Sequence, residues 1–304
     1  MKLHICDEMA PLKRVLLGRA DQLGPLPQIE DLYDPKSKAH LLGGTYPKEA
    51  HLVEEIESFK AVFEKYGVEV MQPGSLKDCN QIFARDLGFV IDDVFVQSNI
   101  LPLRERELEG LNELRTELTP SQLLYLNESV HVEGGDVILM GDHIFVGICT
   151  RPDYANLITA RTNRNAFEAL QTHFPQKQFH SIELNKSDNP YLNALHLDCV
   201  FQPVGHNLAI LHPEGFANRK EYLVLKGFFD EKNIFEISAD EMFEMTSNVF
   251  SIAPDIVVSD PLFDRLNHWL KEKGITVEEV SFRETAKQEG LFRCSTLPLE
   301  RQSL

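Results

Sequence analysis

The chain has 304 residues, 43% of them apolar, and a net charge of −17, which allows a sizeable core and excludes nucleic-acid binders that depend on a basic footprint. No apolar run approaches the roughly 20 residues of a membrane helix, and the five cysteines (Cys6, Cys79, Cys149, Cys199, Cys294) are odd in number and never in a C-x-x-C pair, against a disulfide framework or a structural zinc site. A cytoplasmic protein is expected, a single domain over residues 1–304 with no membrane or nucleic-acid partner, whose negative field attracts a cationic small molecule.

Taken in chain order, the elements repeat. Arg14–Leu17 reads as a strand and Glu49–Tyr66 as a helix, with Leu52, Ile56, Phe59 and Phe63 on one face and Gly67 as its stop, before the strand Val68–Met71. Phe89–Gln97 holds two short apolar strands around Asp92-Asp93. A helix over Arg104–Leu118, with Leu108, Leu111, Leu114 and Leu118 at helical spacing, and a strand over Leu123–Leu126 follow. The same order then returns. His131–Met140 and His143–Ile148 turn at Gly141-Asp142, ahead of a helix over Asn163–Phe174 and a strand over Gln178–Leu184. "HLDCVFQPV" and "LAILH" turn at Gly205-His206-Asn207, ahead of a helix over Arg219–Phe229 and a strand over Ile234–Ser238. Asn248–Ile252 and Ile256–Ser259 turn at Pro254-Asp255, ahead of a helix over Leu262–Glu272, ended by Gly274, and the strand Ile275–Val280. Cys294–Leu299 is left as a partner for Arg14–Leu17. Five hairpin-helix-strand units of roughly 50 to 60 residues, one assembled from both termini, predict an α/β fold closed as a five-bladed propeller, with a doubly wound open sheet as the alternative.

Each unit opens its first hairpin with one polar residue: Asp86, Glu133, His196, Asn248 and Cys294. On a closed ring these positions face one axis, where two acids, a histidine, an amide and a thiol converge. Singly, each has a plainer structural reading. Glu133 caps a turn or bulge at Gly134-Gly135, and Asp86 beside Arg85 is an exposed ion pair. His196 and Asp198 share one strand face, where a lone histidine is more often a satisfied core group, and Cys294 is a buried small hydrophobe. The shared position within the unit favours a site. His131, Glu133, His196 and Asp198 lack the H-E-x-x-H spacing and mix with a soft thiol, so no metal is expected. A cysteine with a histidine and carboxylates matches nucleophilic catalysis instead.

In order, "LKRVLLG", "FARD", "EGGD", "RTN", "HLDC" and "FRC" resemble the guanidino-group-modifying superfamily, which includes arginine deiminase, dimethylarginine dimethylaminohydrolase and the amidinotransferases. The resemblance implies a five-bladed α/β propeller of ββαβ units (the pentein fold), no cofactor and a cationic guanidino substrate. It implies Cys294 as nucleophile, His196 as general acid and base, and Glu133 as hydrogen-bond partner of His196 or of the guanidinium. Asp86 and Asp198 become the guanidinium-binding acids, Arg151 or Arg161 a grip on a substrate carboxylate, and Asp136, Asn248 and Arg293 shape the site. The chemistry agrees: a guanidinium is a planar cation with donors in a fixed fork, which two facing carboxylates hold flat. The implied activity is cysteine-dependent hydrolysis of arginine or an N-substituted arginine through a thiouronium intermediate. An amidinotransferase and a non-catalytic binding protein of the same fold are the alternatives. Two departures from the family pattern bear on the substrate. Gly290-Leu291 stands where two glycines are usual, and a segment separates Gly147–Arg151 from Arg161-Thr162-Asn163. A homodimer is compatible with the sequence.

Overall fold

The computed structural model describes residues 1–150 and 157–303. Short apolar runs pair as hairpins, and in three of the four the residues between them turn with a positive φ, at Asp92 (53°), Gly141 (64°) and Gly205 with Asn207 (54° and 61°). The hairpins are Gly88–Ile91 with Val94–Gln97, Val137–Met140 with His143–Ile148, Phe201–Val204 with Leu208–Leu211, and Phe250–Ala253 with Ile256–Ser259. In each, the second strand takes a parallel third strand: Leu123–Tyr125, Gln178–Glu183, Ile234–Glu236 and Thr276–Glu279. A parallel third strand needs a crossover, which the helices Arg164–His173, Arg219–Lys226 and Asp264–Glu272 supply in three units.

The fifth sheet joins the two ends of the chain. Leu12–Leu17 pairs antiparallel with Thr296–Arg301 and parallel with Glu69–Met71, with the helix Glu49–Lys65 between its strands in sequence. That helix buries Leu52, Ile56, Phe59 and Phe63, the expected stripe. Phe59 meets Phe292 edge-on at 5.1 Å and Phe292 stacks on Phe282 at 4.8 Å, so the segment before Cys294 is fixed to the core by an aromatic anchor.

Two expectations need correction. The segment predicted as a helix over Arg104–Leu118 is a 3-10 helix over Pro102–Leu111 continued by a short α-helix, Asn112–Thr116. Its buried residues include Arg104, Glu107 and Gly110, spaced by three, and three residues per turn put them on one edge. The strands after Glu133 and His196 also start late, because the chain first makes 3-10 turns at Gly134–Asp136 and Leu197–Cys199, and a like turn at Ala84–Leu87 holds Asp86 ahead of the strand that begins at Gly88. His196 therefore caps a turn that contains Asp198, and the two do not share a strand face. Helices at Pro35–Leu42, Ala239–Phe243 and Arg283–Ala286 had no counterpart in the sequence reading. Among the described residues no helix is long and apolar enough to cross a membrane.

The three 3-10 turns pack on one another, and this explains "EGGD". A Cβ on Gly134 would lie 2.2 Å from the Arg85 carbonyl oxygen, and one on Gly135 would lie 2.6 Å from Nδ1 of His196. The glycines permit neighbouring units to approach, and that approach gathers the polar residues.

Candidate active site

Cys294 sits in a turn held from several sides. Its backbone N–H donates to Asn248 Oδ1 at 3.1 Å, Asn248 Nδ2 donates to its Sγ at 3.2 Å, and its carbonyl accepts from the Arg85 N–H at 3.0 Å. The thiol lies 3.8 Å from Asp198 Oδ2. Behind it, Arg293 is fully buried and bonds Asp198 at 2.9 Å, Glu8 at 2.9 Å and the Val137 carbonyl at 2.9 Å. Leu291, the departure from the usual glycine pair, is buried in the large core cluster, and Gly290 is the residue pressed close, where a Cβ would lie 2.2 Å from the Phe83 ring.

The histidine faces a second charged network. His196 Nε2 bonds Glu133 Oε2 at 2.8 Å, and its Nδ1 lies 3.8 Å from Asp86 Oδ1. Glu133 also accepts from Arg161 at 3.0 Å, and Asp86 Oδ2 from Arg104 at 2.6 Å. Arg104 is clamped in turn by both oxygens of Glu107 at 2.8 Å. Asp136 accepts the Leu197 N–H at 2.9 Å, which fixes the turn that aims His196. Asp86 Oδ1, buried, has no hydrogen-bond partner. The exposed Arg85–Asp86 pair of the sequence reading is thus corrected: both residues are buried, and Asp86 pairs with Arg104.

Proton affinities follow from these neighbours. Burial alone would lower His196, but the Asp86 charge and the Glu133 hydrogen bond outweigh it and raise the imidazole to about 9. Burial would raise Glu133, yet Arg161, His196 and Arg104 hold it below the usual carboxylate range. Burial, then Asp198 and Asp86, push the Cys294 thiol well above its ordinary value. At neutral pH the site therefore holds a thiol beside an imidazolium.

Asp86, His196 and Cys294 line one narrow cavity of about 10 Å³, together with Tyr33, Asp34, Phe83, Arg104, Arg161, Leu195, Gln288 and Glu289. Asp198 is fully buried and outside this lining, on the Arg293 side of the thiol. Arg161 reaches the wall with its charge on Glu133 and a second nitrogen on the Tyr33 carbonyl. Arg151 lies outside the described residues. Metal-type ligand atoms of Asp86, Glu133 and His196 come within 4.8 Å of one another, but Arg104 and Arg161 already sit on those carboxylates, so an added dication would have to displace a guanidinium. The sequence reading missed Tyr33, Asp34, Arg104, Glu107 and Glu289. Only the three-residue spacing of Arg104, Glu107 and Gly110 carried a usable signal.

The family described as "N,N dimethylarginine dimethylhydrolase, eukaryotic" matches residues 47–300. The uncharacterized protein YkgA of Bacillus subtilis (strain 168) is 29% identical over 222 residues, 73% of this chain and 70% of that protein. Arginine deiminase of Oenococcus oeni is 26% identical over 59% of this chain, and the alignment spans 48% of the deiminase, about half its length. Among solved structures, the N-terminal domain of ArgZ, a cyanobacterial arginine dihydrolase, superposes with a TM-score of 0.78 at 17% identity, covering 95% of this chain and 98% of that one. SxtG, an amidinotransferase from Microseira wollei, gives 0.77 at 18% identity over 99% and 98%. With five three-stranded sheets of one connectivity and a family match over most of its length, this chain belongs to the dimethylarginine dimethylaminohydrolase family of the guanidino-group-modifying superfamily.

Proposed function

We propose that the five sheets are the blades of a closed ring forming one catalytic domain, and that the protein hydrolyses a guanidino compound, arginine or an N-substituted arginine, through a covalent intermediate on Cys294. The observation that carries the reading is Asp86: a buried carboxylate with one oxygen that accepts no hydrogen bond, in the same cavity as a thiol and an imidazole. A buried acceptor without a donor is costly, and a guanidinium N–H supplies that donor with a charge of the right sign. Asp198, 3.8 Å from the sulfur and bonded by Arg293 outside the cavity lining, faces the thiol, so Asp86 is the acid placed to hold the cation.

Cationic substrate beside Asp86 lowers the thiol's proton affinity, and the thiol proton leaves to solvent. The Cys294 thiolate then attacks the central guanidinium carbon. His196, protonated at neutral pH, gives its proton to the departing nitrogen, and the C–N bond breaks to leave a thiouronium on sulfur. Neutral His196 next takes a proton from water as that water attacks the same carbon. The C–S bond breaks, and the ureido product leaves.

The test is turnover of arginine, its methylated forms and other guanidines by wild type, with intact mass on the stalled enzyme. Release of ammonia or an amine with a ureido product, an adduct on Cys294, and loss of on the order of 10⁴-fold or more in Cys294→Ser are expected. Transfer of the amidino group to an added amine in preference to water would assign a transferase. Turnover unchanged in Cys294→Ser would remove the reading.

A further inference from the structure

His196 is placed without the help of a strand. Asn193–Leu195, the residues before it, lie in no regular element, and the 3-10 turn Leu197–Cys199 begins only after it. Asp136 fixes the far side through the Leu197 N–H, and the near side is held by a side chain that the mechanism does not use. Lys186, 8% exposed, donates from Nζ to the Ala194 carbonyl at 2.9 Å and to the Leu195 carbonyl at 2.7 Å. Among the described residues no other hydrogen bond reaches either carbonyl. Burying an ammonium is costly, and among the described residues this one has no carboxylate within salt-bridge distance, only the charge of Asp136 farther off to oppose its burial.

Closing the loop between Lys186 and Ala194 does not require that ammonium. The Ala194 N–H already donates to the Asn185 carbonyl at 2.9 Å, and the Ser187 N–H to Asn193 Oδ1 at 3.2 Å. What is left for Lys186 is direction. In an extended chain successive residues face opposite ways, so one ammonium that takes two successive carbonyls bends the backbone around itself just ahead of His196. We infer, resting on the guanidine-hydrolase reading above, that Lys186 is a positioning residue for His196: its ammonium sets the backbone from which the imidazole reaches Glu133, and it takes no part in proton transfer itself.

The sign of one shift separates this role from two others. Asp86, Glu133 and Asp136 face the imidazole, and Asp136, Arg161, Cys149 and Cys199 face the ammonium. A cation near His196 lowers the ring's proton affinity, so removing a lysine that acts by charge alone raises it. Removing a lysine that positions the ring loosens the 2.8 Å bond to Glu133 and the approach to Asp86, which together raise His196 to about 9, and the value falls toward 6.5. A lysine that only staples the loop shifts it in neither direction.

The test is Lys186→Met, which keeps the length of the side chain and removes its donors. With the guanidine that wild type turns over, kcat is expected to fall on the order of 10²-fold, KM to stay within about threefold, and the alkaline limb of kcat/KM to move down by about one pH unit. A limb that moves up, or stays in place, overturns the inference. The imidazole's own titration, followed by NMR and assigned by its absence in His196→Gln, reads the same shift without substrate. If wild type turns over no guanidine, the hydrolase reading has failed, and this titration still decides what places the ring: a lower midpoint in Lys186→Met upholds Lys186, and an equal or higher one discards it. Should Lys186→Met not fold, Lys186→Gln, which keeps an N–H donor, takes its place in the same titration with the same two outcomes.

Discussion

Two arginine–carboxylate clusters lie on opposite sides of the reacting groups, and they use the same chemistry differently. Behind Cys294, Arg293 bonds Glu8, Asp198 and two backbone carbonyls, fully buried and outside every cavity lining described above. Beside His196, Arg104 and Arg161 bind Asp86, Glu107 and Glu133, but Asp86 Oδ1, 3.8 Å from His196 Nδ1, accepts no hydrogen bond, and Asp86 lines the pocket. The first cluster is complete within the protein. The second is one donor short, and the missing donor has the character of a ligand. A buried charge network thus reads as architecture when every group is satisfied and as a site when one is not.

The comparison breaks most visibly in the sealed cluster. Arg293→Met leaves Glu8 and Asp198 uncompensated in the interior, so urea unfolding should show a loss of about 3–5 kcal/mol. Glu8, held at about 2 by Arg293 and Arg85 against its burial, should then take up a proton near neutral pH. A loss below about 1 kcal/mol would mean that the cluster relaxes to solvent and does not anchor the cysteine turn.

Next in size is Gly135→Ala, which acts between the clusters. Its new Cβ would fall 2.6 Å from Nδ1 and 2.7 Å from Cγ of His196, so the ring must swing away from Glu133 and Asp86. A displacement on that scale costs on the order of 10² in kcat, while alkylation of Cys294 by iodoacetamide should keep its wild-type rate. Wild-type turnover in this variant would show that His196 tolerates a move it should not.

These residues also show what the sequence disclosed. Hairpins were legible because apolar runs such as Val137–Met140 and His143–Ile148 flank a glycine turn, and amphipathic spacing exposed the helix with Phe59 and Phe63. Asp86, Glu133, His196, Asn248 and Cys294 were legible through their common place in each unit, although the turns that hold them were not. Arg104 and Glu107 were hidden because charges on an apparently amphipathic helix read as a solvated face, whereas a 3-10 winding turns them inward. Asp34 was hidden because the helix it caps buries Pro35, Lys36 and Ser37 and leaves Leu42 exposed and Leu41 half-buried, the reverse of an apolar stripe. Glu8 reaches Arg293 across 285 residues of sequence, and no local pattern encodes a contact of that kind.

The smallest expected effect sharpens the open cluster alone. His196 is raised from its ordinary 6.5 to about 9, with burial outweighed by Asp86 and by the Glu133 hydrogen bond. Because the folded value exceeds the unfolded one, the protonated ring stabilises the fold fully below about pH 6.5, and that contribution is lost as pH rises through about 9. Catalysis needs the same proton for the leaving nitrogen, so kcat/KM should fall on the alkaline side with a limb near 9. Glu133→Gln keeps the shape and an acceptor but removes one of three charges holding the proton, those of Asp86, Asp136 and Glu133, and the limb should move down by about one pH unit, near 1.4 kcal/mol. Asp86, still 3.8 Å from Nδ1, keeps the shift from vanishing. A limb that stays in place would assign it to the substrate or to Cys294 and not to His196.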